Sequence, residues 1–300
     1  MNHHTHLPVL LEDTLRLLNP KANESYLDLT AGFGGHAQAV LELTGVPERA
    51  VLVDRDPAAI ASLTKQNIGA VLINSDFMSA LSGELKDLSF DLILMDLGVS
   101  SEHLNNPERG FSFREPGPLD MRLDPRRTLS ADEVVNNYSE ADISQILIEL
   151  GEERRARAVA KAIVAHRPIR DTGELADVVR RVVRRVGRID PATRTFQAIR
   201  MHVNDELGQL KAALKLIPGH LNPGGRWAII SFHSLEDRLV KQAFRELTDA
   251  GYEAEFAPLT KFPITGLKND ESNPRARSAK LRGVVKINTK KGAIAHANSG

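Results

Sequence analysis

The feature that most constrains the fold is a glycine-rich segment near the amino terminus, Asp28 to His36 (DLTAGFGGH). Tyr26 and Leu27 just before it are typical of a short buried strand, and Ala37 to Leu43 has the apolar spacing of a helix. A strand, a glycine loop and a helix in this order begin a doubly wound sheet, in which glycines let the backbone approach a nucleotide closely. We therefore expect a nucleotide-like ligand at this loop.

Three more segments have the apolar composition of buried strands: Ala50 to Asp54, Ala70 to Ile73 and Phe90 to Asp96. Helical patterns separate them, and strands that alternate with helices predict a parallel sheet with helices on its faces. The fold class that we expect is α/β, with a Rossmann-like sheet.

The alternation stops near residue 104, because residues 105–125 are rich in Gly, Pro, Asn and Arg. Helical patterns then follow, namely a capping box at Ser130 to Glu133, Glu140 to Leu150, Glu152 to His166, Thr172 to Val186 and Arg194 to Leu216. Strand character returns at Gly224 to Ser231 and at Leu281 to Ile287. We expect residues 1–104 to form the first part of the sheet domain, 105–204 an inserted helical domain, and 205–300 the second part with a basic C-terminal segment.

The formal net charge of zero conceals an asymmetry along the chain. Residues 1–104 hold 6 basic and 14 acidic side chains, whereas residues 105–204 hold 18 and 15, and residues 205–300 hold 15 and 10. Basic side chains are densest in Arg180 to Arg200 and in Arg275 to Lys291. This distribution predicts a polyanionic partner.

An aspartate stands at or just after the end of each of the first four strands: Asp28, Asp54, Asp76 and Asp96. Ligands of open α/β sheets bind at this edge. Carboxylates there would repel a pyrophosphate but attract the sulfonium and ammonium groups of S-adenosylmethionine, so charge favours the methyl donor although the glycine spacing fits both. By position, Asp54 suits the ribose hydroxyls, Asp76 and Phe77 suit adenine, and Asp28 or Asp96 suits the ammonium. The alternative for each aspartate is a helix cap.

The composition excludes several classes of site. The chain has no cysteine, which excludes disulfides, thiolate metal sites and cysteine nucleophiles. We interpret His3, His4 and His6 as part of a disordered amino-terminal segment and not as metal ligands, and we expect no metal site. The chain has neither a signal-peptide pattern nor an apolar run of membrane-spanning length. We expect a cytoplasmic protein with no membrane contact.

Eight blocks, in order, extend over nearly the whole chain: AGFGGH at 31–36, DRD at 54–56, DLGVSS at 96–101, RGFSF at 109–113, PLDMR at 118–122, PATRTFQA at 191–198, SFHSLEDR at 231–238 and NPRARS at 273–278. Together they resemble the bacterial ribosomal RNA small subunit methyltransferase H family.

The resemblance implies S-adenosylmethionine-dependent methylation of the exocyclic N4 of a cytidine in the decoding region of 16S ribosomal RNA, within the small ribosomal subunit. It also implies a Rossmann-like methyltransferase domain with an inserted helical domain. The family's cofactor contacts correspond here to Gly34, Gly35, His36, Asp54, Phe77 and Asp96. One further position, usually Gln, is His103 in this chain, and its imidazole can still donate one hydrogen bond.

Cytosine N4 is a poor nucleophile because its lone pair is delocalised into the ring. A hydrogen-bond acceptor on its N–H favours the reactive geometry and can remove the surplus proton. We expect Asp96 at the reacting centre, in contact with the cofactor or the amine, with Ser100, Ser101 and His233 as secondary catalytic candidates. For His233 the alternative is a loop histidine satisfied by its neighbours.

The RNA-binding candidates fall into four groups. Phe111 and Phe113 lie among Gly, Ser and Arg and are suited to receive an unstacked base, with core packing as the alternative. The cationic and amide candidates recur at spacings of three and four or lie in the C-terminal basic run. The alternative is a solvated helix face for the arginines at 180–188 and a flexible tail for the C-terminal run. One group is Arg180, Arg181, Arg184, Arg185 and Arg188. Another is Arg194, Gln197, Arg200 and Asn204, and the C-terminal group is Arg275, Arg277, Lys280 and Arg282.

Two other functions remain compatible with these features. A nicotinamide-dependent oxidoreductase would use the same glycine loop. A noncatalytic RNA-binding ribosome assembly factor would keep the basic runs and a vestigial nucleotide site.

Overall fold

The computed structural model of the protein describes residues 8–185, 187, 189–249, 254–270 and 273–287. These residues form two compact units. The first unit comprises residues 1–98 and 209–300, and the second comprises residues 99–208. The insertion expected at 105–204 therefore falls inside the second unit.

Within the described residues, the strands of the first unit form one eight-stranded sheet. The strands are β1 Tyr26–Asp28, β2 Ala50–Asp54, β3 Val71–Asn74, β4 Phe90–Asp96, β5 Leu221–Ser231, β6 Phe256–Pro258, β7 Ile264–Thr265 and β8 Lys280–Lys286. Their order is β3-β2-β1-β4-β5-β8-β6, with β7 paired to β8. The first five strands run parallel and β8 pairs with β5 in the antiparallel direction, so the sheet is mixed and the Rossmann-like α/β fold is confirmed.

The helices are α1 Leu11–Leu18, α2 Gly35–Thr44, α3 Pro57–Gln66, α4 Phe77–Ser82, α5 Ser101–Asn105, α6 Ala131–Asn137, α7 Glu140–Glu149, α8 Ala156–Ala165, α9 Thr172–Val182, α10 Thr193–Asn204, α11 Glu206–Leu216, α12 Ser234–Thr248 and α13 Gly266–Asn269. The longest of these, α12, has 15 residues. In the part of the chain that the structure describes, no helix combines the length and apolarity that crossing a bilayer requires.

The first unit has two hydrophobic clusters around its central strands, because successive side chains of a strand point to opposite faces of the sheet. Leu27, Ile93 and Met95 pack in one cluster, with the fully buried Trp227. Their neighbours in sequence, such as Leu92, pack in another cluster with α2. Because successive strand residues point to opposite faces, apolar residues at every position make a strand that is buried on both sides.

The second unit is helical and has its own core, to which α6 to α10 contribute. Val159 and Ile163 on α8, and Leu175 and Val179 on α9, are buried at a spacing of four residues. This spacing places them on one face of each helix, where they exclude water together.

Two helix predictions in this unit were wrong. The helix expected over Thr172 to Val186 ends at Val182. The single helix expected over Arg194 to Leu216 is two helices, because Asp205 between them has a left-handed backbone, with φ of 48°. Side-chain periodicity continues through such a break, so the sequence pattern did not reveal it.

Candidate active site

The glycine loop connects β1 to α2 through backbone conformations that favour glycine. Gly32 and Gly34 have φ of 52° and 91°. A Cβ atom on Gly34 would lie 2.7 Å from Cδ2 of Leu63, so a larger residue would be both strained and crowded. The loop therefore enters α2 by a tight turn beside the carboxyl ends of β1 and β2.

Asp54 at the end of β2 fixes this loop. Its Oδ2 accepts a hydrogen bond of 2.7 Å from the Gly32 N–H, and its Oδ1 accepts one of 2.8 Å from the Asp56 N–H. Each carboxylate oxygen has two lone pairs, so each can accept a second hydrogen bond from a hydroxyl. The position and the chemistry of Asp54 fit a ribose.

Asp28 and Asp96 lie on the adjacent strands β1 and β4 and are linked through Thr30. Thr30 Oγ1 accepts the Asp96 N–H at 2.6 Å and lies 3.4 Å from Asp28 Oδ1. Asp28 also accepts hydrogen bonds from the Tyr26 hydroxyl at 2.8 Å and from the Thr30 N–H at 3.0 Å. Burial raises the pKa of Asp28 to about 6, although these hydrogen bonds oppose the shift.

Among the described residues, no positively charged side chain compensates the carboxyl group of Asp96. Its Oδ1 is shielded from solvent and has no hydrogen-bond partner among the described residues, although the side chain as a whole is 27% exposed. Burial raises the pKa of Asp96 well above its usual value, and the nearby Asp28 and Glu236 raise it further. A cation at this carboxyl group would reverse that penalty, because an opposite charge favours the ionised form.

His36, in the first turn of α2, lies against Asp96, with 3.7 Å between Nε2 and Oδ2. The imidazole is buried, and burial lowers its pKa to about 4 while the backbone of Val9 acts in the opposite sense. At neutral pH His36 is therefore uncharged and does not form an ion pair with Asp96. The glycine loop, Asp54, His36 and Asp96 form one cluster at the carboxyl edge of the sheet.

Asp76 and Phe77, which the sequence suggested as adenine contacts, both have structural roles in the first unit. Asp76 caps α4, because its Oδ1 accepts the Ser79 N–H and its Oδ2 accepts the Ser79 hydroxyl, both at 2.9 Å. Phe77 is buried in the first-unit core. The helix-cap alternative thus holds for Asp76.

His233 and Ser100, the secondary catalytic candidates, are both helix caps. His233 Nδ1 accepts the Glu236 N–H at 3.4 Å at the start of α12, and His233 Nε2 lies 3.1 Å from Glu236 Oε1. Ser100 Oγ accepts the His103 N–H at 3.3 Å at the start of α5. Both side chains are thereby held by the backbone of their own helices, which is a structural role.

His103 belongs to the second unit and completes the cap of α5. Its Nδ1 accepts the Ser100 N–H at 3.1 Å, and its ring packs against Phe111 with 5.3 Å between centroids. The histidine thus acts as the third residue of a capping box, a role usually taken by Glu or Gln.

The two aromatic candidates for base stacking differ in their exposure to solvent. Phe111 is buried in the core of the second unit, so the packing alternative is correct for it. Phe113 is half-buried, with its ring 4.7 Å from that of Phe196 and the Arg180 guanidinium 5.5 Å from its centroid.

The expected basic helical face is not present in the described residues. Arg184 is exposed but lies beyond the end of α9, and Arg188 lies outside the described residues. Arg180 is on α9, where it pairs with Asp177 at 2.9 Å and with Asp190 at 3.0 Å. The prediction of one continuous cationic stripe was wrong because the helix ends early.

The polar residues of α10 also have structural partners. Asn204 is fully buried, accepting the Leu123 N–H at 2.8 Å and donating to the Met121 carbonyl at 2.7 Å. Arg200 forms two hydrogen bonds of 2.8 Å to Glu206. The prediction that Asn204 contacts RNA was therefore wrong, since the amide satisfies buried backbone groups.

Arg194 and Gln197 on α10 keep more access to solvent. Arg194 is exposed and donates to the Glu152 carbonyl at 3.1 Å. Gln197 is half-buried and lies 3.7 Å from Met201 Sδ.

The C-terminal basic run is partly neutralised. Asp237 on α12 pairs with Lys280 and Arg282, both at 2.7 Å, so these two cations stabilise the first unit. Arg275 and Arg277 lie on a short 3₁₀ turn before β8, where Arg277 is exposed and Arg275 is half-buried. The sequence did not predict Asp237 as the partner, nor Tyr26 and Thr30 as the support of Asp28.

The sequence matches a family model described as the MraW methylase family over residues 3–287. Three curated relatives are each named ribosomal RNA small subunit methyltransferase H. The relative from Acidobacterium capsulatum is 43% identical, covering 95% of this chain and 100% of its own. The relative from Synechocystis is 44% identical, with coverage of 94% and 93%, and that from Trichormus variabilis is 45% identical, with 93% and 90%.

The similarity to solved structures is much weaker. A putative methyltransferase from Streptococcus mutans in complex with SAH has 12% identity and a TM-score of 0.42, covering 94% of this chain and 100% of that one. An rRNA methylase from Streptococcus thermophilus has 11% identity and a TM-score of 0.41, with coverage of 92% and 95%. Similarity at this level supports no inference about the site.

Proposed function

The chain belongs to the MraW methylase family, and from this premise we propose that it methylates the exocyclic N4 of a decoding-region cytidine in 16S ribosomal RNA. It is an S-adenosylmethionine-dependent ribosomal RNA methyltransferase. The single observation that carries the assignment of its centre is the Asp96 carboxyl group near Asp28, whose Oδ1 is shielded from solvent and has no hydrogen-bond partner among the described residues.

The residues at the carboxyl edge fit the cofactor. S-adenosylmethionine supplies an electrophilic methyl group on a positively charged sulfur and also carries an ammonium group. The unpartnered Asp96 Oδ1 is suited to hold one of these cations. Asp54 is suited to hold the ribose, Gly34 and Gly35 form the turn of the glycine loop without side chains, and the uncharged His36 adds no repulsion.

Asp96 also has the chemistry that the acceptor amine requires. A carboxylate that accepts the N4–H bond would draw the amine out of the ring plane and make its lone pair available. Much of the rate can come from holding the amine in line with the methyl group, so the protein's main contribution is positioning.

The second unit provides candidates for RNA contact. Arg184 and Arg194 are exposed cations there, and Phe113 and Gln197 keep partial access to solvent. Arg277 is a corresponding exposed cation of the first unit. Together these side chains are suited to phosphates and unstacked bases of an RNA within the small ribosomal subunit.

The test is methyl transfer to small ribosomal subunits from cells that lack this protein, followed by mass spectrometry of the nucleosides. We expect N4-methylcytidine to form with the wild type. Asp96→Asn keeps the shape of the side chain and removes its charge, and we expect it to lower the rate by about 100-fold.

Asp87→Asn is the matched control, since it is the same substitution at an exposed position just before the amino-terminal end of β4. Asp87 lies at the opposite end of the strand from Asp96, so this variant should keep the wild-type rate. Methylation of a different nucleoside would refute the substrate assignment, and a full rate in Asp96→Asn would refute the role of Asp96.

A further inference from the structure

A short segment of the first unit presents an aromatic side chain on an anchored loop. The loop lies between β6 and β7 and contains Phe262. Before it, the Leu259 N–H donates to the Gly283 carbonyl at 2.9 Å, and after it Ile264 pairs with Leu281 of β8. Because both ends are fixed to the sheet, the structure holds the loop in place.

Phe262 is 71% exposed, and Leu267 on the neighbouring α13 is 58% exposed. Burying a phenylalanine stabilises a folded protein, and an exposed ring at this position largely forgoes that contribution. Single exposed apolar residues are common, but here two lie within six residues of an anchored segment.

Cations surround these apolar residues. The Lys261 ammonium lies 5.7 Å from the centroid of the Phe262 ring, and Lys268 on α13 is exposed. Residues 261–270 hold two lysines and one acid, Asp270, whose Oδ2 accepts the Leu10 N–H at 3.0 Å. The segment therefore has a positive local charge.

The fold brings a further cation to this segment. A Cβ atom on Gly266 would collide with the Ala276 carbonyl, so the start of α13 touches the 3₁₀ turn that carries Arg277. The Gly266 N–H also donates to the Ala279 carbonyl at 3.0 Å. Gly266 comes four positions after Phe262, which is at most about 13 Å of extended chain. We call Lys261, Phe262, Leu267, Lys268 and Arg277 the aromatic-basic patch.

We propose that the aromatic-basic patch binds single-stranded RNA, with one base stacked on Phe262 and the phosphates beside Lys261, Lys268 and Arg277. The combination of an exposed ring with flanking cations is what sequence-tolerant RNA surfaces use, whereas lysine is depleted in the centres of protein–protein interfaces. The inference rests on the proposed function, since it assigns a second contact to the same RNA substrate.

The test measures binding of a fluorescein-labelled single-stranded RNA of about 12 nucleotides to the full-length protein, without cofactor. Phe262→Ala should weaken binding by about 10-fold, because a stacked base contributes roughly 1–3 kcal/mol. Phe262→Leu keeps the apolar surface but not the ring, and should weaken binding similarly. Phe262→Trp should bind at least as well as the wild type.

Phe262→Trp also reports on stacking directly. Trp227, the natural tryptophan, is fully buried, so quenching of the new indole on RNA addition would come from position 262. Lys261→Gln and Lys268→Gln should each reduce the slope of log affinity against log salt by about 0.7.

Leu43→Ala is the matched control, because Leu43 is 50% exposed on α2 without flanking cations, and its loss should leave binding unchanged. Wild-type affinity in Phe262→Ala, or no measurable RNA binding by the wild type, would overturn the proposal. Wild-type affinity in Phe262→Leu, together with an indole that RNA does not quench in Phe262→Trp, would overturn it in favour of an apolar protein partner. Normal RNA binding without any N4-methylcytidine formation would instead refute the proposed function and leave the patch standing.

Discussion

Asp28 and His36 are buried in the first unit, and burial moves their pKa values in opposite directions. The pKa of Asp28 is raised from 3.8 to about 6, and that of His36 is lowered from 6.5 to about 4. Each group is therefore uncharged in the folded protein between pH 4 and 6, but charged in the unfolded chain. The two groups have opposite effects on the pH dependence of stability.

The stabilising contribution of Asp28 is present below its unfolded pKa of 3.8 and is lost as pH rises to about 6. Asparagine does not titrate, so Asp28→Asn does not lose stability in this way as pH rises. The free energy of unfolding of the variant minus that of the wild type should therefore increase by about 2–3 kcal/mol from pH 4 to pH 6. Urea unfolding at several pH values measures the difference.

His36→Gln should change the pH dependence of stability in the opposite direction. The contribution of His36 is present above its unfolded pKa of 6.5 and is lost as pH falls to about 4. Relative to wild type, this variant should become more stable by about 2–3 kcal/mol as pH falls from 6.5 to 4. A parallel pH dependence in wild type and both variants would mean that neither group titrates as described.

At the scale of the element, α10 shows how a polar stripe acquires a structural function. Its spacing of Arg194, Gln197, Arg200 and Asn204 indicated a surface for RNA. In the structure, Asn204 bonds to the backbone at Met121 and Leu123, and Arg200 bonds to Glu206. The helix thereby holds a loop that is about eighty residues away in sequence, which helical periodicity could not indicate.

We expect Asn204→Ala to lower the free energy of unfolding by about 2–4 kcal/mol, because it leaves a buried N–H and a buried carbonyl without partners. Gln197→Ala on the same helix is the control and should change stability by less than about 1 kcal/mol. Urea unfolding measures both variants. An unchanged stability in Asn204→Ala would show that water replaces the amide.

At the scale of the whole molecule, the chain has two units with separate hydrophobic cores. A ligand stabilises the unit that it binds, by about 2.7 kcal/mol at a concentration of 100 times its dissociation constant. With S-adenosylhomocysteine, hydrogen exchange should slow in β1, β2, β4 and α2, while α6 to α9 keep their rates. Equal protection of α6 to α9 would mean that the two units open together.

The sequence by itself determined the parallel part of the sheet and the edge at which Asp28, Asp54 and Asp96 stand. The strand ends at Asp54 and Asp96 and the glycine turn before α2 follow from apolar runs and from residues next to each other in the chain. Local sequence specifies such features because successive residues share one strand or one turn, and parallel strands bring their carboxyl ends to one edge. The eight ordered blocks that carry the family resemblance are likewise features of the sequence alone.

Only the tertiary structure decided which polar residues are available for function. Phe111 entered a core, Asn204 bonded to the backbone at Met121 and Leu123, and Asp237 neutralised Lys280 and Arg282. Asp96 Oδ1, in contrast, has no hydrogen-bond partner among the described residues. These outcomes depend on which segments, distant in sequence, come into contact in the fold. A buried polar group forms a hydrogen bond with a nearby partner, because leaving it unpaired costs free energy.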